Sequence, residues 1–219
     1  MYNQQYNRKK IILLVIFLFS FYTTLQCQST EDSLYWLVNS NGAAVQRKVD
    51  SLKKQGIDTT ICFFSTVKGW PAYIDSAGVY EIQYLIWSHD SRTYFQKFVE
   101  LNHSHYKNFN PVLILHYDFQ QFLRTNLNTI RNEMIVPFIY KSTDSQNRTL
   151  YSPLYGTHMK YSFIRITTTE TDIGKEIYDH DLEEERVGVK NLNYIYNYST
   201  KLKSLYELIL LLIGKIDWN

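Results

Sequence analysis

Apolar positions along the chain fall into two rhythms, one of three to four residues and one of two. In "AAVQRKVDSLKKQG", Val45, Val49 and Leu52 recur at helical spacing, with Arg47, Lys48 and Lys53 elsewhere on the cylinder. Gly56 stands where a left-handed C-terminal cap belongs, so this helix has a defined end. The next run, "DTTICFFSTV", is rich in β-branched and aromatic residues and apolar on both alternating sets, the mark of a strand near the middle of a sheet. "VYEIQYLIW" then sets Tyr80, Ile82, Tyr84 and Ile86 on one face against Glu81 and Gln83 on the other. In "TYFQKFVEL", Phe95, Val99 and Leu101 alternate with Tyr94, Gln96 and Glu100, and the short polar "SHDSR" joins the two as an antiparallel hairpin.

"NPVLILH" reads as another short strand, followed by a helical pattern in which Phe119, Phe122, Leu123, Leu127, Ile130 and Met134 share a face. Asp118, with Gln121 three residues on, forms a capping box that starts this helix. "KSTDSQNRTLYSPLYGTHM" has the Ser, Thr, Asn, Pro and Gly content of a long loop. The strand period returns in "KYSFIRITTT", with "IGKEIYDHD" as its hairpin partner. A last helix places Leu202, Leu205, Tyr206, Ile209, Leu212 and Ile213 at steps of three and four, closed by Gly214. Helices and strands are segregated rather than alternating. The pattern predicts a single α+β domain, an antiparallel sheet with helices packed on one face.

The first residues change where this domain is expected to work. Arg8, Lys9 and Lys10 precede an apolar run from Ile11 to Phe19, and small polar residues follow. That is the form of a secretory signal peptide, here residues 1–27, and the apolar core is too short to span a bilayer. Residues 28–219 then form the mature domain, secreted or periplasmic in a bacterium and not integral to the membrane. Lipid anchoring through Cys27 fits less well, because the preceding Gln26 is not a small residue. Cleavage removes three basic residues and no acid, leaving 20 Lys and Arg against 21 Asp and Glu. A net charge of −1 without a basic block offers little to neutralise phosphates, which excludes nucleic acid as a partner. Cys62 is then the one certain cysteine, so no internal disulfide staples the domain and an apolar core must hold it. Between apolar neighbours, and with no basic residue close in sequence, Cys62 is expected to be a buried thiol.

Candidate chemistry is sparse, and no cofactor is expected. In "NHSHYKN", His103 and His105 lie two apart, so on a strand both imidazoles would face one way, with His116 and either Glu100 or Asp118 within reach to complete a zinc set. A polar, loop-like setting, the capping role of Asp118 and the lack of an HExxH motif weigh against this site. Ser88, His89 and Asp90 are adjacent and cannot converge as a hydrolase triad. In "YDHDLEEERVG" the acids lack the alternation of a calcium loop, and Asp181 with Glu184 reads as a solvated helix start. Asn102, Asn147 and Asn197 satisfy the glycosylation triplet. Aromatic content is high, 16%, and Trp70 and Tyr73 in the loop "KGWPAYIDSAG" are the candidate binding residues. Two expectations follow: an exported, non-catalytic domain that recognises a protein or glycan of the cell envelope, or a metal-dependent hydrolase built on His103, His105 and His116.

Overall fold

The computed structural model describes residues 40–68, 79–101, 105–115, 117–156 and 159–218. The first helix, α1 (Ser40–Lys54), ends as its sequence predicts. Gly56 sits at φ 79°. Its N–H reaches Lys53 O at 3.0 Å, and Ile57 N–H reaches Leu52 O at 3.0 Å, a closing motif that engages the carbonyls of the last turn. Strands β1 (Thr60–Lys68), β2 (Val79–His89), β3 (Arg92–Leu101), β4 (His105–Asn108) and β5 (Val112–Ile114) follow, then helix α2 (Phe119–Asn132). The hairpin turn between β2 and β3 is Asp90-Ser91, with φ 50° and 59°, the two-residue turn whose twist matches the strands it joins. Asp118 caps α2 as expected, its carboxylate accepting from Gln121 N–H at 3.0 Å.

Strands β8 (Met159–Thr167) and β9 (Asp172–Tyr178) form the predicted hairpin and complete a seven-stranded antiparallel sheet in the order β4-β3-β2-β1-β8-β9, with β5 also paired to β3. Strand β1 is central, which explains its apolar residues on both alternating sets. Ile61 and Phe63 face one side, with Tyr84, Ile86, Phe95, Ile164 and Ile166, and pack against α2 and the last helix, α4 (Lys201–Lys215). Cys62 faces the other side with Leu85, Trp87 and Phe98, and there α1 supplies Ala44, Val45, Val49 and Leu52. The fold is thus the expected single α+β domain. The one-face arrangement describes α2 and α4, while α1 covers the opposite face because the strands beneath it are apolar there too.

Several local details differ from the sequence pattern. Helix α2 stops at Asn132, so Met134 leaves its apolar face and is exposed. Gly214 lies within the last turn of α4 rather than ending it. Cys62 is buried as expected, yet Arg165 stands directly opposite it on β8. That guanidinium is engaged by the Asp172 carboxylate, and their hydrogen bonds hold Asp172 below the usual carboxylate range. Trp218, beyond α4, packs against Tyr84, Phe95 and Phe109 at ring separations of 5.8 to 6.2 Å. Among the described residues, no helix is long and apolar enough to cross a membrane.

Candidate functional site

Two stretches that the sheet does not use meet at one end of the molecule. The first, expected to be a loop, is a two-stranded ribbon of β6 (Ile139–Thr143) and β7 (Thr149–Pro153). Its polar content misleads because the turn residues serve the turn. Asp144 Oδ1 accepts from Gln146 N–H at 2.9 Å and Arg148 N–H at 2.8 Å, while its second oxygen takes Arg148 Nε at 2.7 Å. These bonds hold the Asp144 carboxyl below its ordinary range. Asn147 takes the positive φ, 60°, that the turn requires. What remains on either side, "IYKST" and "TLYSP", is good strand sequence.

The second stretch is a 3₁₀ turn (Asp179–Leu182), a small hairpin of β10 (Glu185–Arg186) and β11 (Val189–Lys190), and helix α3 (Tyr194–Ser199). Asp181, expected to cap a solvated helix, is instead 3% exposed and accepts from Phe138 N–H at 2.6 Å. Burial pushes its carboxyl above the usual range, with the Phe138 bond and nearby His180 opposing. Asn197 is fully buried and closes the junction. Its oxygen accepts from Val136 N–H at 2.8 Å, and its amide donates to Val136 O and Asp181 O, each at 2.8 Å. Asn191 donates to Asp181 O at 2.9 Å, and Leu192 N–H bonds Ile139 O at 2.8 Å, tying the hairpin side to β6. A side chain so committed is not a glycosylation acceptor, which removes Asn197 from that set.

This polar clamp fixes a lobe whose outer surface is apolar. Among the described residues, most exposed large hydrophobic side chains fall here: Leu150 and Tyr151 on β7, Tyr155 after it, Val187 at the hairpin tip, and Leu192, Ile195, Tyr196 and Tyr198 in and before α3. Tyr155 and Val187, 81% and 87% exposed, also line a cavity of about 200 Å³ with Leu154, Gly156, Met159, His180 and Arg186. His180 itself is buried, its Nε2 3.2 Å from Asp181 Oδ1, and its Nδ1 has no hydrogen-bond partner among the described residues. Arg186 is held by Glu183 at 3.2 Å.

The ribbon also presents a strand edge. Bonds from Asp144 N–H to Arg148 O and from Leu154 N–H to Phe138 O fix the alternation of the ladder. Arg148, Leu150, Ser152 and Leu154 therefore turn their backbone groups toward β6, and Thr149, Tyr151 and Pro153 turn theirs outward. The outward N–H groups of Thr149 and Tyr151 have no partner among the described residues.

Of the sequence-predicted residues, Trp70, Tyr73, His103 and His116 lie outside the described residues. Only the backbone of His105 is described, in β4 opposite Leu101. Among the described residues no cluster of three or more His, Cys, Asp or Glu side chains gathers that could hold a metal. Sequence reasoning missed this lobe, although one signal was present: "TLY" at 149–151 is strand-prone in residue type inside what its polar neighbours disguise as a loop. Comparison with protein-family models, with curated proteins and with solved structures finds no match to this chain, so its role is argued from this surface alone.

Proposed function

We propose that the protein is an exported, non-catalytic recognition domain that docks a protein partner on the lobe formed by β6, β7, the β10–β11 hairpin and α3. The observation that carries this reading is the coincidence of two features. The exposed side chains Tyr155 and Val187 flank the same cavity, so apolar surface borders a recess able to receive a partner side chain. Interfaces concentrate binding in such places, with tyrosine enriched and an anchor residue filling a pocket. Rigidity supports the reading as well. The buried Asn197 and Asp181 bonds hold the surface in shape before a partner arrives, which lowers the entropy lost on binding. Export is supported by the signal-like first 27 residues.

A random twelve-residue peptide library displayed on phage, panned on the immobilised full-length chain, tests the proposal. Recovered sequences should lose binding at least tenfold to a Tyr155→Ser/Val187→Ser double variant and keep it with Leu211→Ser, an exposed apolar change on α4. Recovery of nothing, or of binders indifferent to the double variant, would overturn the proposal.

A further inference from the structure

We infer that the partner binds as an added β-strand along β7, an extended proline-free segment led by one apolar side chain that fills the cavity beyond Pro153. This rests on the docking reading above and names its mode.

The argument is a comparison of edges. Any strand at a sheet margin exposes unpaired N–H and C=O groups that can template another strand, and folded proteins blunt such margins. The main sheet does so at both ends. On β9, the bond from Thr168 N–H to Thr171 O sets the alternation, so Asp172, Gly174 and Glu176 turn their backbone groups outward. That margin carries two acids and a glycine. At the other end, the β4–β5 edge is interrupted: the register against β3 slips by one residue between the Phe98–Asn108 and Phe95–Val112 pairs, and Pro111 lies in the slip. Strand β7 has no such device across Thr149–Ser152. It is uncharged, its Tyr151 is 66% exposed, and only Pro153, at its end, lacks an N–H.

The same geometry favours a foreign segment over a second copy of the chain. A symmetric pairing centred on Tyr151 sets Pro153 opposite Thr149, leaving each Thr149 carbonyl without its bond. A pairing shifted toward the turn keeps only Thr149 and Tyr151 in the ladder. A proline-free peptide meets both N–H groups and all three carbonyls of Thr149, Tyr151 and Pro153. Running antiparallel, the stronger ladder, it enters beside Pro153, where Leu154 and Tyr155 open onto the cavity. Backbone bonds would then give affinity and the apolar anchor specificity, as in other strand-addition complexes.

Each peptide recovered from the panning is synthesised plain and in two N-methylated forms, one blocking the N–H groups of odd positions and one those of even positions. Amide exchange in the full-length chain is followed by NMR. Strand addition predicts that the plain peptide slows exchange at Thr149 and Tyr151 at least tenfold, that one methylated form binds at least tenfold more weakly, and that the other is unaffected. Binding that depends on Tyr155 and Val187 without protection at Thr149 and Tyr151 would overturn strand addition and leave the docking reading standing. Recovery of no peptide would overturn both. Peptide-free dimers with Thr149 and Tyr151 protected would overturn the inference in favour of a second copy as occupant.

Discussion

The main sheet and the β6–β7 ribbon hold hydrogen-bonded strands in water by opposite means. In the sheet, side chains do it. Ile61, Phe63, Ile164 and Ile166 are buried on one face, Leu85 and Trp87 on the other, and helices close both. The ribbon has little side-chain burial of its own, and two strands without a covered face are marginal in isolation. It is held at its base by side-chain-to-backbone bonds from Asp181 and Asn197, through Phe138 and Val136. The difference teaches where a protein can leave a strand edge open. An edge of the main sheet belongs to the core and is blunted by charge, bulge or proline. The ribbon edge carries little of the domain's buried apolar surface, so a strand added there, as proposed, would not compete with folding.

That comparison can be broken in four ways. Ile164→Ala, at the fully buried centre of the sheet, should destabilise the whole domain by about 3–4 kcal/mol in urea unfolding. Its effect should spread over every amide of β1 and β8, because the sheet unfolds as a unit. Asn197→Ala should cost about 2–3 kcal/mol, since it strips the part-buried Val136 N–H and C=O of their partner and removes one of the two amide bonds to Asp181 O. Here amide exchange should accelerate in β6 before it does in β1. Equal acceleration in both would mean that ribbon and sheet are one cooperative unit and that the distinction is false.

The two carboxylates sharpen the contrast through pH. Asp172, beside Arg165 in the sheet, has its folded pKa depressed, so its contribution is present above the ordinary carboxylate range and is lost as pH falls through the lowered value. Asp181, in the clamp, has its folded pKa raised by burial. The folded state therefore holds the extra proton, and this contribution is present at low pH and lost as pH rises from the ordinary value through the raised one. Unfolding curves from pH 3 to 7 should accordingly show Asp172→Asn becoming less stable than the parent as pH rises, by roughly 0.5 kcal/mol for so exposed a pair. Asp181→Asn should gain on the parent over the same direction of pH. Matching slopes for the two variants would remove the contrast.

The smallest change in stability belongs to the edges. Tyr151→Lys on β7 and Glu176→Val on β9 are outward-facing changes and should each alter stability by less than about 0.5 kcal/mol. Their effects on association should be opposite. Lysine at 151 should weaken peptide binding at the ribbon, while valine at 176 should make the sheet margin prone to self-association, read by sedimentation against concentration. If Glu176→Val leaves the chain monomeric, charge is not what protects that margin.

Much of this architecture is legible in residue order. Local rules placed the Gly56 cap, the Asp118 cap and both sheet hairpins, because each depends on neighbours within a few positions. Reading the ribbon as a loop failed for a definite reason. The polar side chains of Asp144 and Arg148 serve the turn, the carboxylate accepting from the Gln146 and Arg148 N–H groups and from Arg148 Nε. The binding residues chosen from sequence, Trp70 and Tyr73, and the histidines 103 and 116, lie outside the described residues, so the surface proposed here stands on other side chains.

The sequence by itself determined which segments pair locally, which face of each is apolar and that one core without disulfides must hold them. Tertiary structure alone decided the rest. Cys62 faces an arginine more than a hundred positions away, Asp181 is buried rather than solvated, and Asn197 is a clamp rather than a surface amide. Periodicity reports an element's own faces but is silent on what lies across from them. A polar residue's fate is set by the backbone groups that arrive opposite it, and those come from distant parts of the chain.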